Sequence, residues 1–445
     1  MVLVLIYSLI DFGQVFVRSE KYQALEIVNK SPRELVELRG FKSEVHYAHT
    51  PDGYYIHVVR IVNPLIKKRP LKRPVVFNHG LSESSTIYLL NSKGVKPMHC
   101  NICEPIDVKS LSNSTQFING PMMLANNGYD VWLMSMRGTD WSLKHDKLDW
   151  REPEFWDYCL DDFALVDVPT VIDYVSKKTG SSKVAYVGHS QATFSVFGLL
   201  SMKPHYADKI EPVFALAPVA YFDHITSVAR LTFTASLLNP DKDMHGPVPR
   251  SAKKFRLDFA TLCQGGLMQK MCDIVYELIG GRGKDRPQGY YSHLPYFSSM
   301  KVIRQFGQLV VNRRFMMYDY GFDMNNQIYG QPLSPSYPID KIRSKSLCLF
   351  STETDSLSHP ADVDRFKSEL TVPIFHDEII KGDFNHFDLV TDSAAQRLVW
   401  APILLILDDF ERKSGVCSKE PKGQKSQKKG SWQKENGKKG GRKKE

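Results

Sequence analysis

The residues best placed to do chemistry lie in Val184–Thr193, VAYVGHSQAT. An apolar, β-branched run ends in Gly188-His189-Ser190-Gln191-Ala192, and a helix-like pattern follows. Strand, sharp turn and helix are the context in which a serine hydroxyl is lifted clear of a parallel sheet as a nucleophile. Small residues must flank the serine, because the incoming strand and outgoing helix pass close together there. The second flanking position is Ala192, where the motif carries glycine. Alone, G-x-S-x-A is weakly specific, since many buried Gly/Ser turns share it.

A serine nucleophile needs a base, and the base needs an orienting acid. With this kind of elbow the chain order is Ser, then Asp or Glu, then His. Ser351–Val363 reads STETDSLSHPADV and places Asp355 just beyond a predicted strand. Lys381–Asp388 reads KGDFNHFD and places His386 in the loop after the last predicted strand. Both then belong at the sheet edge that presents Ser190. His386 would take the serine proton and return it to the leaving alcohol. Asp355 would hold the imidazole tautomer. The negative charge on the attacked carbonyl needs two backbone N–H donors. One comes from Gln191, after the nucleophile. The other is expected from Leu81 in His79-Gly80-Leu81, which follows an early strand.

These groups need a scaffold, and the hydrophobic rhythm predicts one. Residues 44–62 alternate around Asp52-Gly53 as a hairpin. Short strands are expected at Pro74–Gly80, Tyr129–Met136, Val184–Gly188, Val213–Ala217, Ser346–Phe350 and Ile374–Ile380. Helices are expected over 156–178, after Ser190, over 361–370 and over 393–410. Strands alternating with helices imply an α/β fold with a mostly parallel sheet covered on both faces. Residues 91–120 read as an inserted polar loop. Residues 221–335 break the rhythm, rich in aromatics, Met and Pro with a glycine cluster at 280–283, and read as a cap or lid inserted into one body. The core parts on either side are 40–220 and 336–411.

The chain has 445 residues, 42% hydrophobic and 11% aromatic, enough for a large core. Its net charge is +9, but residues 412–445 alone carry +10, so the body is close to neutral. That Lys/Gly/Gln-rich tail has too little apolar surface to fold and is expected to be disordered. It suits an anionic surface, and with Trp432 as its one aromatic no nucleic acid is expected. Residues 1–20 open with about ten apolar residues, the length of a signal-peptide core and short of the roughly 20 that span a membrane. Asn113 (N-S-T) and Asn29 (N-K-S, followed by Pro32) are candidate glycosylation sites. Of seven cysteines, Cys263 and Cys272 could close a small loop. Cys100 and Cys103 form a lone C-x-x-C beside His99, where a local disulfide or free thiols are expected rather than a zinc site.

Over most of residues 40–410 the chain resembles the acid lipases, the gastric and lysosomal type of neutral lipid hydrolase. His46–Ile61 resembles the family's opening hairpin, Asn78–Leu81 (NHGL) its oxyanion segment, and Asp130–Ser142 (DVWLMSMRGTDWS) its stretch before the long helix. Phe155–Val175 resembles that helix, and Gly188–Thr193 corresponds to G-H-S-Q-G-T with Ala192 for Gly. Thr354–Val363 and Asn385–Asp388 resemble the acid and base segments. Cys263 and Cys272 fall where the family's cap carries a disulfide. The resemblance implies an α/β-hydrolase fold with a lipid-binding cap. It implies a secreted or lysosomal enzyme that cleaves water-insoluble esters such as triacylglycerol or cholesteryl ester at a lipid–water interface or droplet surface, without cofactor or metal. The alternative is a catalytically weak or inactive lipid-binding or storage protein on the same fold. Ala192, the long 91–120 loop and the basic tail depart from the family pattern.

Overall fold

A computed structural model describes residues 26–67, 71–100, 104, 119–238, 247–248, 256, 260–263, 266–282 and 289–414. The candidate signal segment, Cys103, Asn113 and the tail from residue 415 lie outside the described residues.

Strands β1 (Lys42–His49), β2 (Tyr55–Val62), β3 (Lys72–Asn78), β4 (Tyr129–Ser135), β5 (Val184–His189), β6 (Ile210–Leu216), β7 (Leu347–Thr352) and β8 (His376–Ile380) form one sheet. Their order is β1-β2-β4-β3-β5-β6-β7-β8. β2 runs antiparallel to both of its neighbours, and every other pairing is parallel. Successive side chains on a strand point to opposite faces. Val75 and Phe77 therefore enter one core with Leu133, Val187 and Phe350, while Val76 enters the other with Trp132, Tyr186 and Leu349. This is the expected α/β fold, a mostly parallel sheet with helices on both faces.

Helices α1 (Pro32–Leu38), α2 (Gly120–Asn126), α3 (Val168–Thr179) and α4 (Gln191–Met202) precede β6. Between β6 and β7, where the rhythm breaks, lie α5 (Ala229–Ala235), α6 (Gly266–Gly280), α7 (Met300–Asn312) and α8 (Phe322–Tyr329). A two-residue ladder joins Pro247–Val248 to Ser298–Ser299. A Cys263–Cys272 disulfide closes just before and within α6. Cys100, Cys159 and Cys348 are free thiols. Helices α9 (Pro360–Glu369) and α10 (Ala401–Lys413) complete the chain. Among the described residues no helix is long and apolar enough to cross a membrane, and no group of three or more His, Cys, Asp or Glu could hold a metal ion.

Three expectations need correction. The helix expected over 156–178 is broken: a 3-10 turn covers Pro153–Trp156, helix resumes at Leu160, and a π turn over Phe163–Asp167 leads into α3. Pro169 accounts for the π turn. It has no N–H for the carbonyl of Leu165 four residues back, and its ring crowds that carbonyl. The Lys203 ammonium takes over the orphaned oxygen at 2.9 Å. The last helix repeats the pattern, with a π turn over Gln396–Trp400 ahead of Pro402. The tail boundary also moves. Arg412 and Lys413 belong to α10, where Arg412 pairs with Asp408 one turn back at 2.7 Å. Finally, the first hairpin turns through residues 50–54 rather than a two-residue Asp-Gly link, with the Gly53 N–H bonded to the Thr50 carbonyl at 3.0 Å.

Candidate active site

β5 ends at His189 and α4 begins at Gln191, so Ser190 alone makes the turn between them. It does so at φ 54°, ψ −117°. A positive φ is costly for a residue with a side chain and persists only where the surroundings enforce it. Here they do. The Ser190 N–H is held by the Leu216 carbonyl of β6 at 2.9 Å. The Ser190 carbonyl accepts from the Thr193 N–H at 2.8 Å and from its hydroxyl at 2.6 Å.

Glycine at 188 is a steric requirement. A Cβ there would lie 2.7 Å from the Tyr186 ring and 3.2 Å from the Ala192 Cβ. The ring cannot step aside, since its hydroxyl accepts from the Asn78 amide at 2.8 Å and donates to the Ala192 carbonyl at 3.0 Å. The same absence of a side chain leaves room for the Ala192 methyl, which is fully buried. Gly188→Ala is therefore expected to lower stability by about 1–3 kcal/mol, read as a fall in the thermal denaturation midpoint. A midpoint equal to the parent's would contradict the crowding.

Asp355 lies three residues beyond β7 and His386 six beyond β8, both in loops at the edge where β5 delivers Ser190. The His386 Nδ1–H donates to Asp355 Oδ2 at 2.8 Å, and both side chains are buried. Asp355 is itself fixed: its Oδ1 accepts the N–H groups of Leu357 and Ser358, each at 2.8 Å. The His386 loop is tied to Ser190's neighbour, because the His189 Nε2–H donates to the His386 carbonyl at 2.9 Å and the two rings lie 4.9 Å apart. No hydrogen bond joins the Ser190 hydroxyl to the His386 ring. In substrate-free enzymes that link is commonly long and tightens along the reaction.

The His79-Gly80-Leu81 segment runs beside the elbow. A Cβ on Gly80 would lie 3.1 Å from the Ser190 Cβ and 2.9 Å from Glu83 Oε2. Gln191 is the first residue of α4, so its N–H has no partner within the helix. Four hydrogen bonds shape the loop that carries Leu81. The His79 Nδ1–H donates to the Gly80 carbonyl at 2.9 Å while its Nε2 accepts the Met136 N–H at 3.0 Å. Burial pushes the His79 pKa down to about 4, so the ring stays neutral in that tautomer. The Ser82 carbonyl accepts the Tyr296 N–H at 2.7 Å. The Gly80 N–H donates to Glu83 Oε2 at 2.6 Å.

Ser190, Asp355 and His386 thus lie at one sheet edge with the Gly80–Leu81 segment beside Ser190, and the structure adds neighbours to them. Glu83 is 1% exposed, and its Oε2 also faces His189 Nδ1 at 3.1 Å. A glutamate in a Ser/Thr-rich stretch reads as a surface residue, because isolated carboxylates are rarely buried. Gly280 and Gly281 end α6 against the His386 and Asp355 loops. The His386 N–H donates to the Gly280 carbonyl at 3.1 Å, and a Cβ on Gly281 would collide with the Thr354 carbonyl. The Ser356 hydroxyl adds a bond to the Ile279 carbonyl at 2.9 Å. The glycine cluster itself was the available signal.

Residues 32–92 match the partial alpha/beta-hydrolase lipase region, and residues 73–235 match the alpha/beta hydrolase fold. The chain is similar to gastric triacylglycerol lipase from Bos taurus, at 30% identity over 392 residues, covering 85% of this chain and 91% of that protein. Lipase member M from Mus musculus is 30% identical over 86% of this chain and 87% of its own length. Lipase 1 from Drosophila melanogaster is 28% identical over 84% and 79%. Sheet order, serine elbow and near full-length likeness to these lipases have one common explanation: the chain belongs to the acid lipase family, the gastric-type lipases of the α/β-hydrolase fold, and is a carboxylic ester hydrolase of that kind.

Proposed function

We propose that the chain cleaves neutral lipid esters, triacylglycerol or cholesteryl ester, through an acyl-enzyme on Ser190. The observation that carries this reading is the buried Asp355–His386 hydrogen bond at the edge where Ser190 is held at positive φ. As the Ser190 oxygen bonds to the ester carbonyl carbon, His386 Nε2 takes its proton. The Leu81 and Gln191 N–H groups receive the carbonyl oxygen as it gains negative charge. The imidazolium then protonates the leaving alcohol as its C–O bond breaks, leaving the acyl group on Ser190. A water molecule repeats the sequence: its proton passes to His386, and the fatty acid leaves as Ser190 regains a proton. The chemistry needs no cofactor.

Residues 221–335 act as the cap in this reading. Leu267, Met271, Ile274 and Leu278 form an exposed apolar stripe along α6, which suits contact with a lipid–water interface or a droplet surface. The basic tail adds attraction to anionic surfaces. The apolar start, the acceptor sites Asn29 and Asn113 and the Cys263–Cys272 disulfide support a secretory route ending outside the cell or in the lysosome.

The test is a fluorophosphonate ester probe applied to the folded protein, with the modified residue mapped by mass spectrometry. Labelling at Ser190, followed by turnover of p-nitrophenyl esters of increasing chain length, is the expected result. A folded protein that takes no label at neutral or acid pH would replace the enzyme with a lipid-binding protein.

A further inference from the structure

Glu83 is a carboxylate enclosed by the very loop that is to stabilise a negative charge. Unbalanced, it would oppose the developing oxyanion, and burying it alone would be prohibitive. His189 supplies the balance. Its Nδ1 faces Glu83 Oε2 at 3.1 Å and its Nε2 faces the His386 carbonyl at 2.9 Å. Two acceptors facing the two ring nitrogens are both satisfied when both nitrogens carry protons. Oε2 also accepts the Gly80 N–H at 2.6 Å.

We propose that Glu83 and His189 form a buried charged clasp that positions two loops of the active site at once, the Gly80–Leu81 oxyanion loop through Glu83 and the His386 loop through His189. Glu83 is a positioning residue here: it acts through Gly80 and His189 and touches no reacting atom. The proposal rests on the Ser190 reading above and adds the device that sets the distance between oxyanion donors and base.

Burial would raise the Glu83 carboxyl, but the His189 charge and the hydrogen bonds from His189 and Gly80 outweigh it and hold it below the ordinary glutamate value. Burial would likewise depress His189, but the Glu83 charge and hydrogen bond, with the His386 carbonyl, lift it above the ordinary histidine value. The signs follow. The Glu83 contribution is present above the ordinary carboxylate range and lost as pH falls through its lowered value. The His189 contribution is complete below the ordinary histidine value and lost as pH rises through its raised one. The clasp is therefore complete between the ordinary carboxylate and histidine ranges and opens as pH rises through the raised His189 value. The other titratable groups around it are His79 and Tyr88, neutral across this window because burial lowers the first and raises the second, and the Asp355–His386 couple.

The experiment uses the full chain in three forms: parent, Glu83→Ala and Glu83→Gln. Alanine removes the bond to Gly80 and leaves His189 without its counter-charge. Glutamine keeps the tie to the loop, since its amide oxygen in the Oε2 position can accept the Gly80 N–H, and removes the counter-charge that keeps His189 doubly protonated. Steady-state kinetics on a soluble short-chain ester should show kcat about 10²-fold lower in Glu83→Ala with KM nearly unchanged. Glu83→Gln should recover activity to within about tenfold of the parent and lose the parent's alkaline decline. In ring-15N-labelled protein at weakly acidic pH, both His189 nitrogens should report an imidazolium in the parent and a neutral ring in Glu83→Gln. Parent-like kcat in Glu83→Ala, an unchanged alkaline limb in Glu83→Gln, or a neutral His189 in the parent would each overturn the clasp. Should Glu83→Ala fail to fold, the glutamine profile and the ring-nitrogen signals decide the matter without it. A parent that takes no phosphonate label counts against Ser190 as nucleophile, while the His189 signals still decide the clasp.

Discussion

Replacing Ser190 with alanine is expected to lower ester turnover by about 10⁶-fold while the fold survives. The reason lies in what the side chain does structurally, which is little. The elbow is held through the Ser190 backbone: its N–H by Leu216, its carbonyl by Thr193. Serine and alanine meet the same penalty at φ 54°, since both carry a Cβ. The thermal midpoint should therefore stay close to the parent's, while phosphonate labelling vanishes. Turnover of a p-nitrophenyl ester by highly purified Ser190→Ala at even a hundredth of the parent rate would exclude Ser190 as the nucleophile.

The second large effect is expected from Asp355→Asn, about 10⁴-fold in kcat. The geometry dictates how the new amide must sit. Oδ1 of Asp355 receives the N–H groups of both Leu357 and Ser358. An asparagine must turn its oxygen toward those two donors, because its NH2 group cannot accept them. That orientation aims the NH2 group at His386 Nδ1, where the aspartate offers an acceptor. The imidazole then has to accept at Nδ1 and carry its proton on Nε2, the nitrogen that should take the Ser190 proton. The variant should fold, bind ester with nearly unchanged KM and label slowly at Ser190. Activity within tenfold of the parent across the pH range would remove Asp355 as the orienting acid.

Much of the arrangement was legible in the residues because the signals were local. A β-branched run ending in Gly-x-Ser must leave its strand sharply. Asp355 and His386 each follow a strand, and parallel strands bring their ends to one edge, so chain order placed both beside the elbow. The interruptions in the two long helices were legible in principle, at Pro169 and Pro402, since a missing N–H acts on the carbonyl four residues back. The pattern over 156–178 masked the first, because a π turn shifts the apolar face without erasing its period.

Other features depend on contacts that no local pattern encodes. The consequence of Ala192 is decided by the space left at Gly188 and by the pinned Tyr186 ring. Gly280 and Gly281 mark a turn in sequence; that they seat the end of α6 against the His386 and Asp355 loops follows from a contact more than 70 residues along the chain. Glu83 and His189 are 106 positions apart, and each alone reads as an ordinary polar residue. The sharp turn at Ser190, the placing of Asp355 and His386 after later strands and the alternation that builds the sheet could be read along the chain, because spacing and backbone sterics act over a few residues. Which buried charges are paired and which glycines are steric necessities emerged with the packed fold, because burial and charge balance are set by whatever it brings from far along the chain.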